Sequence, residues 1–189
     1  MSISLILATL ALAIGSFMNV LDSTIVNVSL SHIAGDFAVS PNQGTWIITS
    51  YAVSEAIFLP LVGWMTKRIG VVRQYIWGTL LFTVASMLCG MSFSFSFLLF
   101  ARVLQGVVGA SMIPLSQTLM MTLYPKEKRG MAMGIWSITV IVAPVLGPVI
   151  GGFITDNISW RWCFYINLPI GIISSFLVYT IFKKRGYTE

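Results

Sequence analysis

Residues 4–28 read SLILATLALAIGSFMNVLDSTIVNV, and the only ionisable side chain among them is Asp22. A helix needs about 20 predominantly apolar residues to cross the hydrocarbon core of a bilayer. This run is long enough, and its reading as a membrane span decides how the rest of the chain is read. A charge placed at the centre of such a helix costs about 2.5–3.5 kcal/mol on insertion scales. Asp22 therefore needs either a partner or a task.

The composition agrees with a membrane protein. The 189 residues are 57% hydrophobic and 9% charged, with a mean hydropathy of +0.89. A soluble domain carries roughly 25% charged residues, so this chain lacks the polar surface to cover a globule. Six spans are predicted, at about 4–28, 44–65, 74–93, 97–121, 131–155 and 162–182. They are separated by SPNQG, TKRIGVVR, FSFS, YPKEKRG and TDNISWR. The expected architecture is an all-α integral membrane bundle of six helices, forming one domain over residues 1–189. A cleavable signal peptide at the start is disfavoured, because no basic residue precedes the apolar run and the run continues well past Gly15.

Lys and Arg set the expected orientation. Lys67, Arg68 and Arg73 follow span two, Lys126, Lys128 and Arg129 follow span four, and Lys183, Lys184 and Arg185 follow span six. Only Arg161 falls in a loop on the other side. This places both termini in the cytoplasm, in a multi-pass protein of the cell (inner) membrane. The net charge of +5 is thus a topology signal rather than a nucleic-acid one, although the basic tail can also meet anionic lipid headgroups. Cys89 and Cys163 lack metal-ligand spacing and read as packed thiols. His32 stands alone, so no metal is expected. No phosphate-binding loop, dinucleotide fingerprint or nucleophile elbow occurs, which argues against an enzyme and against ATP-driven work.

Three ionisable residues lie inside the predicted spans: Asp22, Glu55 and Arg102. Intramembrane charges of this kind mark ion or substrate pathways more often than simple helix contacts. Span one runs outward and span four inward, which puts Asp22 and Arg102 at similar depth in the outer half. Glu55 falls halfway along span two, near the midplane. Two carboxylates held in different environments suit proton exchange, since one can load while the other stays ionised. Ser16, Asn19, Ser23 and Asn27 recur at helical spacing around Asp22, and Arg102 and Gln105 share a face of span four. Asn19, Asp22, Arg102 and Gln105 together are expected to border a solvated cavity, and Trp46, Tyr51, Phe58 and Trp136 are aromatic candidates for its lining. In span five, APVLGPVIGG at 143–152 carries Pro144 and Pro148, each of which removes a helix hydrogen bond and bends the axis. Its Gly147 and Gly151 form a G-x-x-x-G surface that another backbone can approach closely.

These segments resemble the major facilitator superfamily, and more closely the EmrB/QacA-type drug:proton antiporters, whose chains have fourteen spans. The resemblance is carried by LDSTIVNVSL (21–30), GWMTKRIG (63–70), RVLQGVVGA (102–110) and APVLGPVIGG, with support from YPKEKRGMAMGIW (124–136) and SWRWCFYINLPIG (159–171). It implies a proton-coupled exporter of lipophilic compounds that works by alternating access. No cofactor is implied beyond the proton gradient as energy source. The resemblance further implies a proton-coupling role for Asp22 and Arg102, a conformational-gate segment at Gly63, Lys67, Arg68 and Gly70, and an antiporter motif at Pro144, Gly147, Pro148, Gly151 and Gly152. Lys67 stands where the superfamily usually has an acidic residue, and Val71 and Val72 stand where it has basic ones. Glu55 has no counterpart role and rests on depth and burial alone.

Six spans make one half of such a transporter, a 3+3 inverted repeat. The chain ends at KKRGYTE, where a linker to further spans would begin. The expectation is an N-terminal half whose partners are a missing C-terminal half and membrane lipids, and in double-membrane bacteria a periplasmic adaptor and an outer-membrane channel. The alternatives are a truncated non-transporting remnant or subunit, and, less favoured, a small channel or a membrane-embedded enzyme.

Overall fold

The computed structural model describes residues 3–184, so Arg185 and the predicted basic tail beyond it lie outside the described residues. Among these residues every regular element is helical. The first helix, α1 (Ile3–Asp36), runs eight residues past the end of the predicted span. Nothing in 29–36 breaks it, and the next strong stop is Ser40–Pro41. There Ser40 caps a short helix, α2 (Pro41–Gly44), through a reciprocal capping box with Gln43.

The second span is built from α3 (Trp46–Phe58), a 3₁₀ turn at Leu59–Leu61 and α4 (Val62–Ile69). The turn coincides with Pro60, which cannot donate the hydrogen bond a continuous helix requires. Gly70 has φ +87°, a conformation that favours glycine, and it turns the chain into α5 (Val71–Gly90). The stretch read as a gate loop, Gly63 to Gly70, is therefore mostly the last helical turns before a glycine corner. The fourth span divides into α6 (Phe95–Gly109) and α7 (Met112–Leu123). Pro114 sits in the first turn of α7, where an amide has no intrahelical acceptor to lose. A single helix, α8 (Arg129–Asn157), spans the fifth crossing and runs unbroken through Pro144 and Pro148. Then α9 (Trp162–Tyr165) leads into α10 (Asn167–Lys184). Six stretches among the described residues are long and apolar enough to cross a membrane: Leu5–Asp36, Pro41–Ile69, Val71–Gly90, Phe95–Leu123, Lys126–Asn157 and Trp162–Lys183.

Their packing has an internal symmetry. Span one packs on span five, and span four packs on span two; span one packs on span six, and span four packs on span three; spans three and six pack on each other. Exchanging spans one, two and three for spans four, five and six leaves this pattern unchanged. Because successive spans alternate in direction, that exchange also inverts them, which is the signature of a 3+3 inverted repeat. Span one is the most deeply embedded, and spans two and five keep most of their surface uncovered within the chain.

Close helix contacts occur where glycines allow them. A Cβ on Gly147 would strike the Thr24 side chain, and one on Gly151 would lie 2.7 Å from Ile25 Cγ1. The G-x-x-x-G surface thus seats α8 on α1, while Pro144 and Pro148 point away from the bundle. Gly106 does the same for α6, lying against the Tyr51 carbonyl and the Ser54 side chain. One apolar cluster, around Tyr75, Tyr124 and Phe182, fills the end of the bundle where the basic loops lie. A second, around Ile33, Leu98, Trp160 and Phe164, fills the opposite end. At that opposite end the Trp160 indole donates to Asp36 at 2.7 Å, and Arg161 donates to the carbonyls of Gly90 and Ser92.

Candidate functional site

Asp22 and Arg102 are both fully buried. Arg102 Nη1 donates to Asp22 Oδ2 at 2.6 Å, a charge-assisted bond that joins α1 to α6. The other carboxylate oxygen, Oδ1, accepts from Gln105 Nε2 at 2.9 Å and from Asn167 Nδ2 at 2.7 Å. Arg102 also donates to Gln105 Oε1 at 2.7 Å and, through Nε, to the Ile47 carbonyl at 3.2 Å. Its guanidinium lies 4.3 Å from the Tyr51 ring centroid and 5.8 Å from that of Phe164. A charge removed from both water and lipid is tolerated when its partners supply Coulombic attraction and hydrogen bonds together, and here they come from α1, α3, α6 and α10. Two buried atoms, Arg102 Nη2 and Asn167 Oδ1, have no hydrogen-bond partner, so the network is not saturated.

This arrangement corrects one expectation. Asn19, Asp22, Arg102 and Gln105 do come together, but they border no solvated cavity: all four are buried in a closed, hydrogen-bonded knot. The polar stripe of α1 also divides. Ser16 and Asn19 face the core with Asp22, whereas Ser23 is only half-buried and Asn27 is exposed. An α-helical row of four drifts around the axis, and only its first two members stay on the packed face.

The aromatic candidates separate in the same way. Trp46 is 52% exposed and lies on an open apolar groove between α3 and α6, away from the ion pair. Phe58 lines a different groove, between the second, third and fourth spans, with Trp77 and Val108. Trp136 is buried and donates to Ser16 Oγ at 3.2 Å and Ser116 Oγ at 3.0 Å, so it locks α8 to α1 and α7 instead of lining a cavity. Tyr51 is the one that joins the site. Its hydroxyl accepts from Asn19 Nδ2 at 3.1 Å and donates to Glu55 Oε1 at 3.4 Å.

Glu55 is half-buried. It opens on a groove of about 340 Å³ between α3 and α7, lined by Ala52, Ala56, Leu59, Ala110, Ile113 and Pro114. The three formal charges of the cluster, those of Asp22, Glu55 and Arg102, leave one negative charge in excess. Arg102 pairs with Asp22, so the carboxylate with no salt-bridged cation among the described residues is the one that has access to the groove.

In the gate segment, Lys67 lies in a neighbouring groove with Gly63, Thr66 and Thr118, and the Arg68 guanidinium stacks 4.3 Å above Trp64. Thr66 Oγ1 donates to Gln74 Oε1 at 2.7 Å, which braces α4 on α5 across the Gly70 corner. Both cysteines are buried free thiols, with Cys89 donating to Gln105 Oε1 at 3.5 Å. Among the described residues no three His, Cys, Asp or Glu side chains gather to hold a metal ion. Sequence reasoning missed Asn167 and Ser86. The Asn167 amide donates to both Asp22 and Ser86 Oγ (2.9 Å), and Ser86 in turn donates to the Phe164 carbonyl. Nothing in their own segments distinguishes them; only the packing of span six against spans one and three does.

A buried intramembrane ion pair inside an inverted-repeat six-helix bundle defines a membrane transporter domain, and a sequence model described as Major Facilitator Superfamily matches residues 12–188. The chain belongs to that superfamily. It is 51% identical over 182 residues to the "Multidrug export protein EmrB" of Haemophilus influenzae (strain ATCC 51907 / DSM 11121 / KW20 / Rd), covering 96% of this chain and 36% of that one. It is equally similar to the EmrB of Escherichia coli (strain K12), of which 35% is covered. To the "Fatty acid resistance protein FarB" of Neisseria gonorrhoeae it is 46% identical over 177 residues, with 94% of this chain and 35% of that one covered. The chain thus spans about a third of the length of these relatives. Among solved structures, a bacterial homologue of the human lysosomal transporter Spinster, inward-facing and unoccupied, superposes with a TM-score of 0.75. That match has 20% identity and covers 97% of this chain and 43% of that one; at this identity it supports the fold alone.

Proposed function

We propose that the chain is the N-terminal half of a proton-coupled exporter of lipophilic compounds that works by alternating access. The observation that carries this reading is the buried Asp22–Arg102 pair at 2.6 Å, held in an unsaturated network drawn from four of the six spans. Such a pair is a costly element in a membrane interior. It is suited to a molecule whose spans exchange partners during a cycle, and less to one that only needs to stay folded. Glu55 acts as the loading group, because among the described residues it has no salt-bridged cation, and it faces the groove. Asp22, under its three donors, holds Arg102 in place.

In this reading no cofactor takes part, and the proton gradient supplies the energy. The chain sits in the cell (inner) membrane with both termini in the cytoplasm. The segment from Gly63 to Gly70 serves as the gate, with Lys67 and Arg68 on its basic face, and the motif from Pro144 to Gly152 seats the moving helix α8 on α1. The partners are a C-terminal half, which would cover the exposed faces of spans two and five, and a periplasmic adaptor with an outer-membrane channel. The names of the EmrB relatives support the substrate class. The test is efflux of a lipophilic dye from cells that express the complete reading frame. Asp22→Asn and Arg102→Ala are each expected to abolish gradient-driven efflux, and transport that survives both unchanged would sink the assignment. Robust proton-driven efflux by residues 1–189 alone would instead show that the chain is sufficient by itself.

A further inference from the structure

The geometry points to Tyr51 as the positioning residue through which Glu55 and the buried Asp22–Arg102 pair sense each other. Its hydroxyl is hydrogen-bonded to Glu55 Oε1 at 3.4 Å, and the face of its ring lies 4.3 Å from the Arg102 guanidinium. One rigid side chain thus touches the groove-facing carboxylate with its tip and the sealed cation with its face. A Cβ on Gly106 of α6 would strike the Tyr51 carbonyl, so α3 and α6 approach each other closely at Tyr51. A response of the Tyr51 side chain to Glu55 alters the surface on which Arg102 rests. Asn19 Nδ2 holds the hydroxyl from the other side, and it also donates to the Gly109 carbonyl, at the break between α6 and α7. The charged groups acting on Tyr51 are Glu55 from its own helix, Asp22 from α1 and Arg102 from α6. Arg102 in turn faces Asp22, the Cys89 thiol of α5 and Tyr51.

When Glu55 is ionised, the Tyr51 hydroxyl donates to an anion, and such bonds are roughly twice as strong as neutral ones. Neutralising Glu55, by a proton or by a cationic ligand in the groove, weakens that tether and removes the excess negative charge. The ring is then released from the tip while Arg102 still bears on its face. Protonation at the groove would in this way loosen a pair that the groove never reaches directly. The inference rests on Glu55 as the loading group, and its experiment separates the two claims.

The chain is reconstituted in phosphatidylcholine–phosphatidylglycerol nanodiscs and titrated with acid. The Glu55 carboxyl is followed by infrared difference spectroscopy, as the band lost in Glu55→Gln, and the Arg102 Nε–H resonance is followed by NMR. The expected result is that the Arg102 resonance moves with the same midpoint as the Glu55 band. In Tyr51→Phe, which keeps the ring on Arg102 but removes the hydroxyl, Glu55 still titrates while most of the Arg102 response is lost, because the hydrogen bond that links the two is gone. Glu55→Asp draws the carboxylate back by one methylene from an intact Tyr51 and gives the same decoupling, so the outcome does not depend on one variant folding. An Arg102 response of full size in Tyr51→Phe and Glu55→Asp, or no response in the wild type while Glu55 titrates, would overturn the role of Tyr51. If no titrating band disappears in Glu55→Gln, the loading assignment itself fails.

Discussion

At the scale of single residues, the site shows which parts of a buried charge cluster a sequence can announce. Asp22 and Arg102 were legible because each stands alone in an apolar run, and because opposed span directions put them at one depth. Their companions Asn167 and Ser86 carry no such mark, since a polar residue in a span is ordinary until its neighbours are known. The same limit explains the cavity that was expected and not found. Spacing groups Asn19, Asp22, Arg102 and Gln105 on facing sides of two helices, but it cannot say whether the gap between them is open or filled. The energetics of the pair are testable apart from transport. Arg102→Ala leaves Asp22 buried without its cation, and breaking a buried pair in this way costs about 3–5 kcal/mol. Replacing both partners with apolar residues, Asp22→Leu with Arg102→Met, removes the unpaired charge and should recover most of that loss. Thermal unfolding of the chain in detergent measures both. A double variant no more stable than Arg102→Ala would mean that the rest of the network, and not the charge, sets the cost.

At the scale of elements, the glycine pattern of α8 was read correctly as a close-packing surface, because a four-residue repeat of small residues has one geometrical meaning on a helix. The breaks in spans two and four were not read. Pro60 and the Gly109–Ala110–Ser111 step lie inside apolar runs whose hydropathy does not dip, and only the backbone path reveals that α3 and α6 stop there. The packing makes a sharp contrast between two glycines of α8, Gly147 and Gly152. A Cβ on Gly147 would strike Thr24, with Thr24 Cβ at 2.9 Å and the Ile25 backbone nitrogen at 3.3 Å, whereas one on Gly152 would meet only Val28 Cγ1 at 3.8 Å. Gly147→Ala should therefore destabilise the chain by about 1–3 kcal/mol through overpacking. Gly152→Ala should be neutral, or stabilising by up to about 1 kcal/mol from better helix propensity. Equal melting temperatures for the two variants would show that α8 can slide off α1 without penalty.

At the scale of the whole molecule, the number of spans and their alternation were legible because each charged loop interrupts an apolar run. The inverted-repeat symmetry is a property of which spans touch, which no local pattern records. The two ends of the bundle differ in a way that follows from both. Lys67, Arg68, Arg73, Lys126, Lys128, Arg129 and Lys183 lie at one end, while Asp36, Asp156, His32 and Arg161 lie at the other, where His32 Nε2 approaches Asp156 Oδ1 at 3.7 Å across α1 and α8. Short loops rich in Lys and Arg are retained in the cytoplasm, so this asymmetry should fix one orientation. Both native thiols are buried, which gives a quiet background for cysteine labelling in intact cells. Phe93→Cys and Asn157→Cys, at the sparsely basic end, should react with an impermeant maleimide added outside. Lys126→Cys should stay protected until the membrane is opened. A reversed pattern would invert the topology, and labelling of all three from outside would indicate a chain inserted both ways, against the single orientation that the Lys and Arg asymmetry calls for.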